Sequence, residues 1–258
     1  MEELVNKIQK LIDNESIKEA IKMYQLAKTE TDYADLGTSR AIEELAMFIK
    51  QLSESSGVRK SAMFTNVIIE LMKANRGYIT SRILQHLGIS REYLSQLVKG
   101  NLIERVDRGI YALVNTFDDS YFIFQLKYKK VIFSHMNALY FHNLTEEFPS
   151  SFTVTVLKTY HVENISKMHN VFSVNEDLFN LGVIEINTPN GNMVRAYDIE
   201  RCICDIIRSE KRMDFDQVKK SVRAYTRRND RDMDKLSKYA EKMGIKNKVM
   251  RFVSMMYE

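Results

Sequence analysis

Arg91, Ser95 and Lys99 recur four residues apart with Glu92 and Gln96 alongside, so a helix over this stretch would carry all five on one polar face. That set can read a duplex. Arg and Gln can bond purine edges bidentately, Glu can accept from cytosine, and Ser or Lys can hold a phosphate. Ser90 opens the same stretch. Downstream, Arg105 and Arg108 flank Asp107 before Gly109, where a hairpin turn would place Arg108 at its tip for a backbone or minor-groove contact. Tyr78 and Thr80 stand on the other side as flanking candidates, Thr80 for a phosphate.

A second cationic group lies further on. Lys220, Arg223, Arg227 and Arg231 are spaced by three or four with Lys219 and Arg228 beside them, which gives a helix one continuous positive strip. DNA flanking the first site, an RNA or an acidic protein would each fit it, and a solvated helical face is the plain alternative.

Catalytic chemistry has little to work with. The chain has no Walker loop, GxGxxG, GxSxG or HExxH motif. Asp118-Asp119 and Glu146-Glu147 are adjacent pairs without a positioned partner, and Ser134-His135 sets a hydroxyl beside a potential base without an assignable third residue. Cys202 and Cys204 lie two apart within an apparent helix, which points them to different sides, so they read as core thiols rather than a disulfide. The histidines His86, His135, His142, His161 and His169 form no short metal-binding pair. We expect no enzyme, no metal and no cofactor.

The elements that must hold these residues follow from periodicity. Thr80 caps a helix with Ile83, Leu84 and Leu87 on its inner face, Gly88 makes the turn, and Ser90 caps a second helix with Leu94, Leu97 and Val98 inward. Gly100 is expected to end that helix in a left-handed conformation. The runs Leu102 to Val106 and Ile110 to Leu113 then form a β-hairpin, and Phe64, Val67, Ile68, Leu71 and Met72 mark a helix beneath the pair. Together these make a winged helix-turn-helix over residues 62–115.

Residues 1–56 carry three apolar stripes and read as a helical extension, with Ser53 to Gly57 as linker. Residues 116–258 change character. Tyr121 to Tyr128 reads as an aromatic strand, Ser134 to Leu144 as a helix and Phe152 to Leu157 as a strand. Val183 to Asn187 and Met193 to Tyr197 flank an Asn190-Gly191 hairpin signal. From Asp198, a good cap, the chain is helical to residue 258, including a helix from Phe215 to Arg227 with Phe215, Val218, Val222 and Tyr225 buried. The fold class is α+β: helical extension, winged helix-turn-helix, then a mixed α/β domain to about residue 197 with a helical tail.

With 258 residues, 45% hydrophobic and 28% charged, the composition is that of a globular protein of two or three domains. A net charge of +4 permits nucleic acid without requiring it. No apolar run suits a membrane span or a secretion signal, which places the protein in the cytoplasm by expectation.

The order of motifs resembles a known family. YITSRILQHLGISREYLSQLVKGNLIERVDRGIYAL, then SHMNALYFHNLTEEFP, then YDIERCICDIIR and a helical tail look like the AbiEi antitoxins of abortive-infection systems, over roughly residues 62–258. The all-helical residues 1–56 depart from the shorter form of that family. The resemblance implies a type IV antitoxin with two tasks. Its winged helix represses its own operon, with two copies on inverted half-sites of operator DNA. Its C-terminal antitoxin domain, residues 116–258, opposes a nucleotidyltransferase-like toxin without a stable complex, within a system that defends against phage. Two other classes stand beside it: a ligand-responsive repressor with a pocket built from Tyr121, Phe122, Phe124, Tyr128, Phe133, Tyr140 and Phe141, and a protein-interaction adaptor.

Overall fold

In the computed structural model, which describes residues 46–47, 49–50 and 60–256, the chain divides into two compact units, residues 1–129 and 130–258. Most of the expected N-terminal extension and its linker lie outside the described residues. Ala46, Met47, Ile49 and Lys50 are helical, and Ile49 is buried in the apolar cluster of the first unit.

That unit is built on α1 (Lys60–Ala74), whose Val67, Ile68, Leu71 and Met72 form a buried stripe at helical spacing. Arg76 and Gly77 both take positive φ, 54° and 92°, and turn the chain into β1 (Tyr78–Thr80). Two short helices follow, α2 (Ser81–His86) and α3 (Glu92–Lys99). They precede a hairpin of β2 (Ile103–Asp107) and β3 (Ile110–Leu113). The three strands form one antiparallel sheet in the order β1-β3-β2, with Ile79 opposite Tyr111 and Arg105 opposite Tyr111 on the other side. The β2 register slips between Arg105 and Asp107, which turns the hairpin end. Ile83, Leu84, Leu87, Ile89, Leu94, Leu97 and Ile103 join the α1 stripe in one core.

The segment read as an aromatic strand is instead the helix α4 (Ser120–Lys127). Asp119 caps it by accepting from the Phe122 N–H at 3.0 Å, and Tyr121, Phe122, Phe124, Gln125 and Leu126 are all buried. A helix buried on most sides shows no amphipathic period, so aromatic content alone misassigned it. Several of the rings grouped by the sequence reading pack on one another or on neighbours: Phe122 lies edge-on to Tyr78 at 5.3 Å, Phe124 tilts on Tyr128 at 4.8 Å, and Phe133 is edge-on to Phe141 at 5.5 Å.

The second unit holds a five-stranded mixed sheet in the order β6-β5-β4-β8-β7. Its strands are β4 (Ile132–Phe133), β5 (Thr153–Leu157), β6 (Asn170–Val174), β7 (Val183–Asn187) and β8 (Met193–Tyr197). The central β4 runs antiparallel to β5 and parallel to β8, β5 and β6 are parallel, and β7–β8 is the antiparallel hairpin expected at Asn190-Gly191, with Gly191 at φ 81°. Helix α5 (His135–Phe141) follows β4, and the one-turn helices α6 (Glu163–Ser166) and α7 (Glu176–Phe179) lie on either side of β6 in sequence. The tail consists of α8 (Ile199–Arg208), a 3-10 turn at Glu210–Arg212, α9 (Phe215–Thr226), α10 (Met233–Lys242) and α11 (Lys246–Ser254).

Helix α8 is the axis of this unit. Its Cys202, Ile203, Ile206 and Ile207 are fully buried among Leu139 of α5, Val218, Val222 and Tyr225 of α9, Leu236 of α10 and Phe252 of α11. Both cysteines are buried thiols of this core. Phe215 departs from expectation: it is about half exposed, its ring edge-on to Phe252 at 6.1 Å. No described helix is long and apolar enough to cross a membrane.

Candidate nucleic-acid interface

The geometry of α2 and α3 begins with Thr80. It is extended, its Oγ1 accepts from the Ile83 N–H at 3.4 Å, and the side chain is buried. Its hydroxyl is thereby engaged in starting α2. Tyr78 is enclosed. It is buried, its hydroxyl donates to the Phe117 carbonyl at 2.7 Å and accepts from the Asp119 N–H at 3.1 Å, and burial pushes its phenol above the ordinary range. Both residues tie elements together, and Thr80 also borders a small cavity.

The turn is made by Gly88 at φ 68°, and Ile89 anchors it by burying its side chain and donating to the Leu84 carbonyl at 2.9 Å. Ser90 Oγ then accepts from the Glu92 N–H at 3.3 Å, so it helps to start α3 although Arg91 occupies the cap position. The helix ends at Gly100, whose φ of −81° is not left-handed; Asn101, at φ 53°, takes that conformation instead.

With Leu94 and Leu97 buried and Tyr93 packed on Phe64 at 5.2 Å, the orientation of α3 is fixed. Ser90, Arg91, Glu92, Ser95, Gln96 and Lys99 are all exposed, and the structure brings these six together as one polar face. Arg91 donates to Gln85 Oε1 at 3.0 Å across the turn.

The hairpin carries the other expected cations. Arg108 is exposed at the turn, where its N–H donates to Asp107 Oδ1, and Arg105 Nε donates to the Asp107 carbonyl at 3.3 Å. Burial would raise Asp107, but the Lys127 ammonium at 2.9 Å and the Arg108 N–H hold its carboxyl below the usual range. Beside the hairpin turn a cavity of about 200 Å³ is lined by Thr80, Ser81, Arg82, Arg108, Lys127 and Lys129 among others. Sequence reading missed Arg82, Lys127 and Lys129. The adjacent Lys127, Lys129 and Lys130 were a signal, but only a helical α4 returns Lys127 to Asp107.

The cationic group of the second unit lies along α9 and the loop after it. Lys220, Arg223 and Arg227 are exposed, with no carboxylate at ion-pair distance among the described residues. Lys219 sits 3.9 Å from Asp216 and over the Phe215 ring. Arg228 is engaged internally: it forks onto Asp230 at 2.8 and 2.7 Å and donates to the His142 carbonyl at 3.0 Å. Arg231 is exposed and donates to the Arg228 carbonyl. The strip therefore reduces to Lys220, Arg223 and Arg227, with Lys219 and Arg231 at its borders.

The D-x-E-R-x-x-x-D residues of α8 form a framework. Asp198 caps the helix through the Arg201 N–H at 2.9 Å and pairs with Lys235 at 3.0 Å, and Glu200 accepts from the Asp232 N–H at 3.1 Å. Arg201 is fully buried, bonding Asp205 through Nε at 3.1 Å and the Leu178 and Leu181 carbonyls through one terminal nitrogen, with its guanidinium over the Tyr197 ring. His135 is also fully buried, and burial pushes its imidazole down to about 3. Its neighbours are hydroxyls: Ser134 Oγ at 2.9 Å and Ser209 Oγ at 3.2 Å. No group of His, Cys, Asp or Glu among the described residues is placed to hold a metal ion.

Residues 66–114, running from within α1 to just past β3, match a family model described as "Transcriptional regulator, AbiEi antitoxin". A search of curated proteins returned no match.

Proposed function

We propose that this protein is an autorepressing antitoxin whose winged helix binds operator DNA, a reading supported by the match of residues 66–114 to the AbiEi antitoxin family of transcriptional regulators. One observation carries the reading: Arg91, Glu92, Ser95, Gln96 and Lys99 are solvent-facing on α3 while the side chains behind them are buried. A helix held this way can lie in a major groove, with Arg91, Glu92, Ser95 and Gln96 at base edges and Lys99 at a phosphate. Arg105 and Arg108 follow the adjacent backbone, and the cavity lined by Thr80, Arg82 and Lys127 supplies a further phosphate contact. Two copies on inverted half-sites would occlude the promoter.

The remainder of the proposal concerns the toxin. The C-terminal domain opposes a nucleotidyltransferase-like toxin without a stable complex, as a type IV antitoxin of a cytoplasmic phage-defence system, and itself catalyses nothing. Lys220, Arg223 and Arg227 would engage a nucleic acid shared with the toxin.

The test is a titration onto the protein's own upstream DNA against a scrambled duplex at several salt concentrations. Arg91→Ala or Gln96→Ala should cost about 1–3 kcal/mol on the specific site, and Lys99→Ala should weaken all sequences and flatten the salt dependence. Equal losses on both duplexes from every variant would contradict these roles. For the strip, neutralisation surviving the folded Lys220→Ala, Arg223→Ala, Arg227→Ala triple variant would exclude it.

A further inference from the structure

The second unit contains a basic cavity of about 500 Å³ that the regulator reading leaves without a role. It is formed where α8 ends. Arg208 is the last residue of that helix, Lys211 and Arg212 follow on the 3-10 turn, and Lys248 reaches in from α11. Among the described residues no carboxylate lies at ion-pair distance from Arg208, Lys211 or Arg212, while Lys248 pairs with Glu210 at 2.9 Å. Asp205 is the one carboxylate in the lining, and Arg201 at 3.1 Å compensates it. A concave wall of uncompensated cations concentrates positive potential, and guanidinium forks match phosphate oxygens in pairs.

The floor of the cavity is rigid and polar. His135 adopts φ 46°, a conformation costly for a side chain of its kind, and holds Ser209 Oγ at 3.2 Å. Thr155 donates to Ser134 Oγ at 2.9 Å, which completes a hydroxyl chain behind the ring. Both faces of Phe172 are occupied: His135 stacks on it at 3.6 Å and 14°, and the Arg212 guanidinium lies 4.1 Å from its centroid. No aromatic face is left for a nucleobase. Recognition must therefore run through charge, and the volume exceeds what one phosphate fills.

We propose that this cavity is a binding site for small molecules carrying linked phosphates, of the pyrophosphate and nucleoside triphosphate class, recognised by their phosphates and not by a base. Arg208 and Arg212 grip the phosphate oxygens, Lys211 adds charge at the mouth, and the Ser209 hydroxyl, set by His135, donates to the innermost oxygen. The site is built from residues of the second unit other than those of the α9 strip, and does not depend on DNA binding.

Isothermal titration of the full-length protein with sodium pyrophosphate, ATP and GTP, at ionic strength matched with sodium sulfate, tests it. Saturable binding at one site is expected, with ATP and GTP within about threefold of each other and sulfate at least about tenfold weaker. The Arg208→Ala, Lys211→Ala double variant should lose at least about tenfold, since both side chains are exposed and their removal leaves the core intact, whereas Lys220→Ala, Arg223→Ala should leave affinity unchanged. Absence of heat from the wild-type protein at millimolar pyrophosphate would overturn the proposal. So would full affinity in the first double variant, or its loss in the second. Strong discrimination between ATP and GTP would overturn the charge-only recognition.

Discussion

Arg91 and Gln85 are joined by a hydrogen bond of 3.0 Å that spans the turn between α2 and α3. Both are exposed, so the bond adds little stability; its effect is to restrict the rotamers of an arginine that would otherwise sweep solvent. Gln85 is thus a positioning residue for the proposed recognition face.

Gln85→Ala should weaken operator binding by about 0.5–1 kcal/mol, less than Arg91→Ala, and should have no further effect when Arg91 is already alanine. A double-mutant cycle on the operator fragment measures this coupling. Additive losses would show that the two side chains act separately, and tighter binding by Gln85→Ala would show that Gln85 holds Arg91 off the DNA.

Arg201 and Asp205 make the most exacting contact of the second unit, since both are buried and Arg201 also satisfies two carbonyls. Arg201→Met alone should destabilise by about 3–5 kcal/mol because it strands a buried carboxylate. Adding Asp205→Leu should restore much of that loss. Urea midpoints of the wild type and the two variants decide it, and a double variant no more stable than the single one would refute the assignment.

The buried imidazole gives a pH dependence of defined sign. His135 sits at about 3 when folded against an ordinary 6.5, so below pH 6.5 the unfolded chain binds the extra proton and stability falls as pH drops toward 3. Asp205, which burial raises to about 6 against the pull of Arg201, acts oppositely: the folded state binds the proton, so stability falls as pH rises from about 4 to 6. The two contributions offset each other between pH 4 and 6. His135→Gln should uncover the Asp205 slope, a loss of up to about 1.4 kcal/mol per pH unit on raising pH through that window. Denaturant titrations at a series of pH values would show it, and a variant with unchanged pH dependence would remove His135 from the balance.

The parts legible in the sequence are those set by local signals. Asn190-Gly191 fixed β7 and β8 with Asn187 opposite Met193, and Thr80, Gly88 and the Leu94 and Leu97 spacing located α2, the turn and α3. What escaped depends on tertiary surroundings. Helix α4 is enclosed on most sides, which erases the period that would identify it, and Tyr78 looks like a surface tyrosine until Phe117 and Asp119 close over it. Asn101 takes the left-handed position beside a glycine that needed no such conformation. The basic cavity was out of reach for a similar reason, because Arg208 and Lys248 meet only through the packing of α8 on α11.

The two thiols of α8 give the second unit an internal clock. Burial pushes Cys204 up to about 12 and Cys202 well above its ordinary range, so neither is a nucleophile while the core is closed. Cys202 faces the His135 carbonyl at 3.5 Å and Cys204 the Leu236 carbonyl at 3.8 Å, one toward the cavity floor and the other toward α10. A thiol-reactive dye would therefore record each opening of this core without any engineered probe. The order in which the two sites become labelled would tell which wall of the helix gives way first.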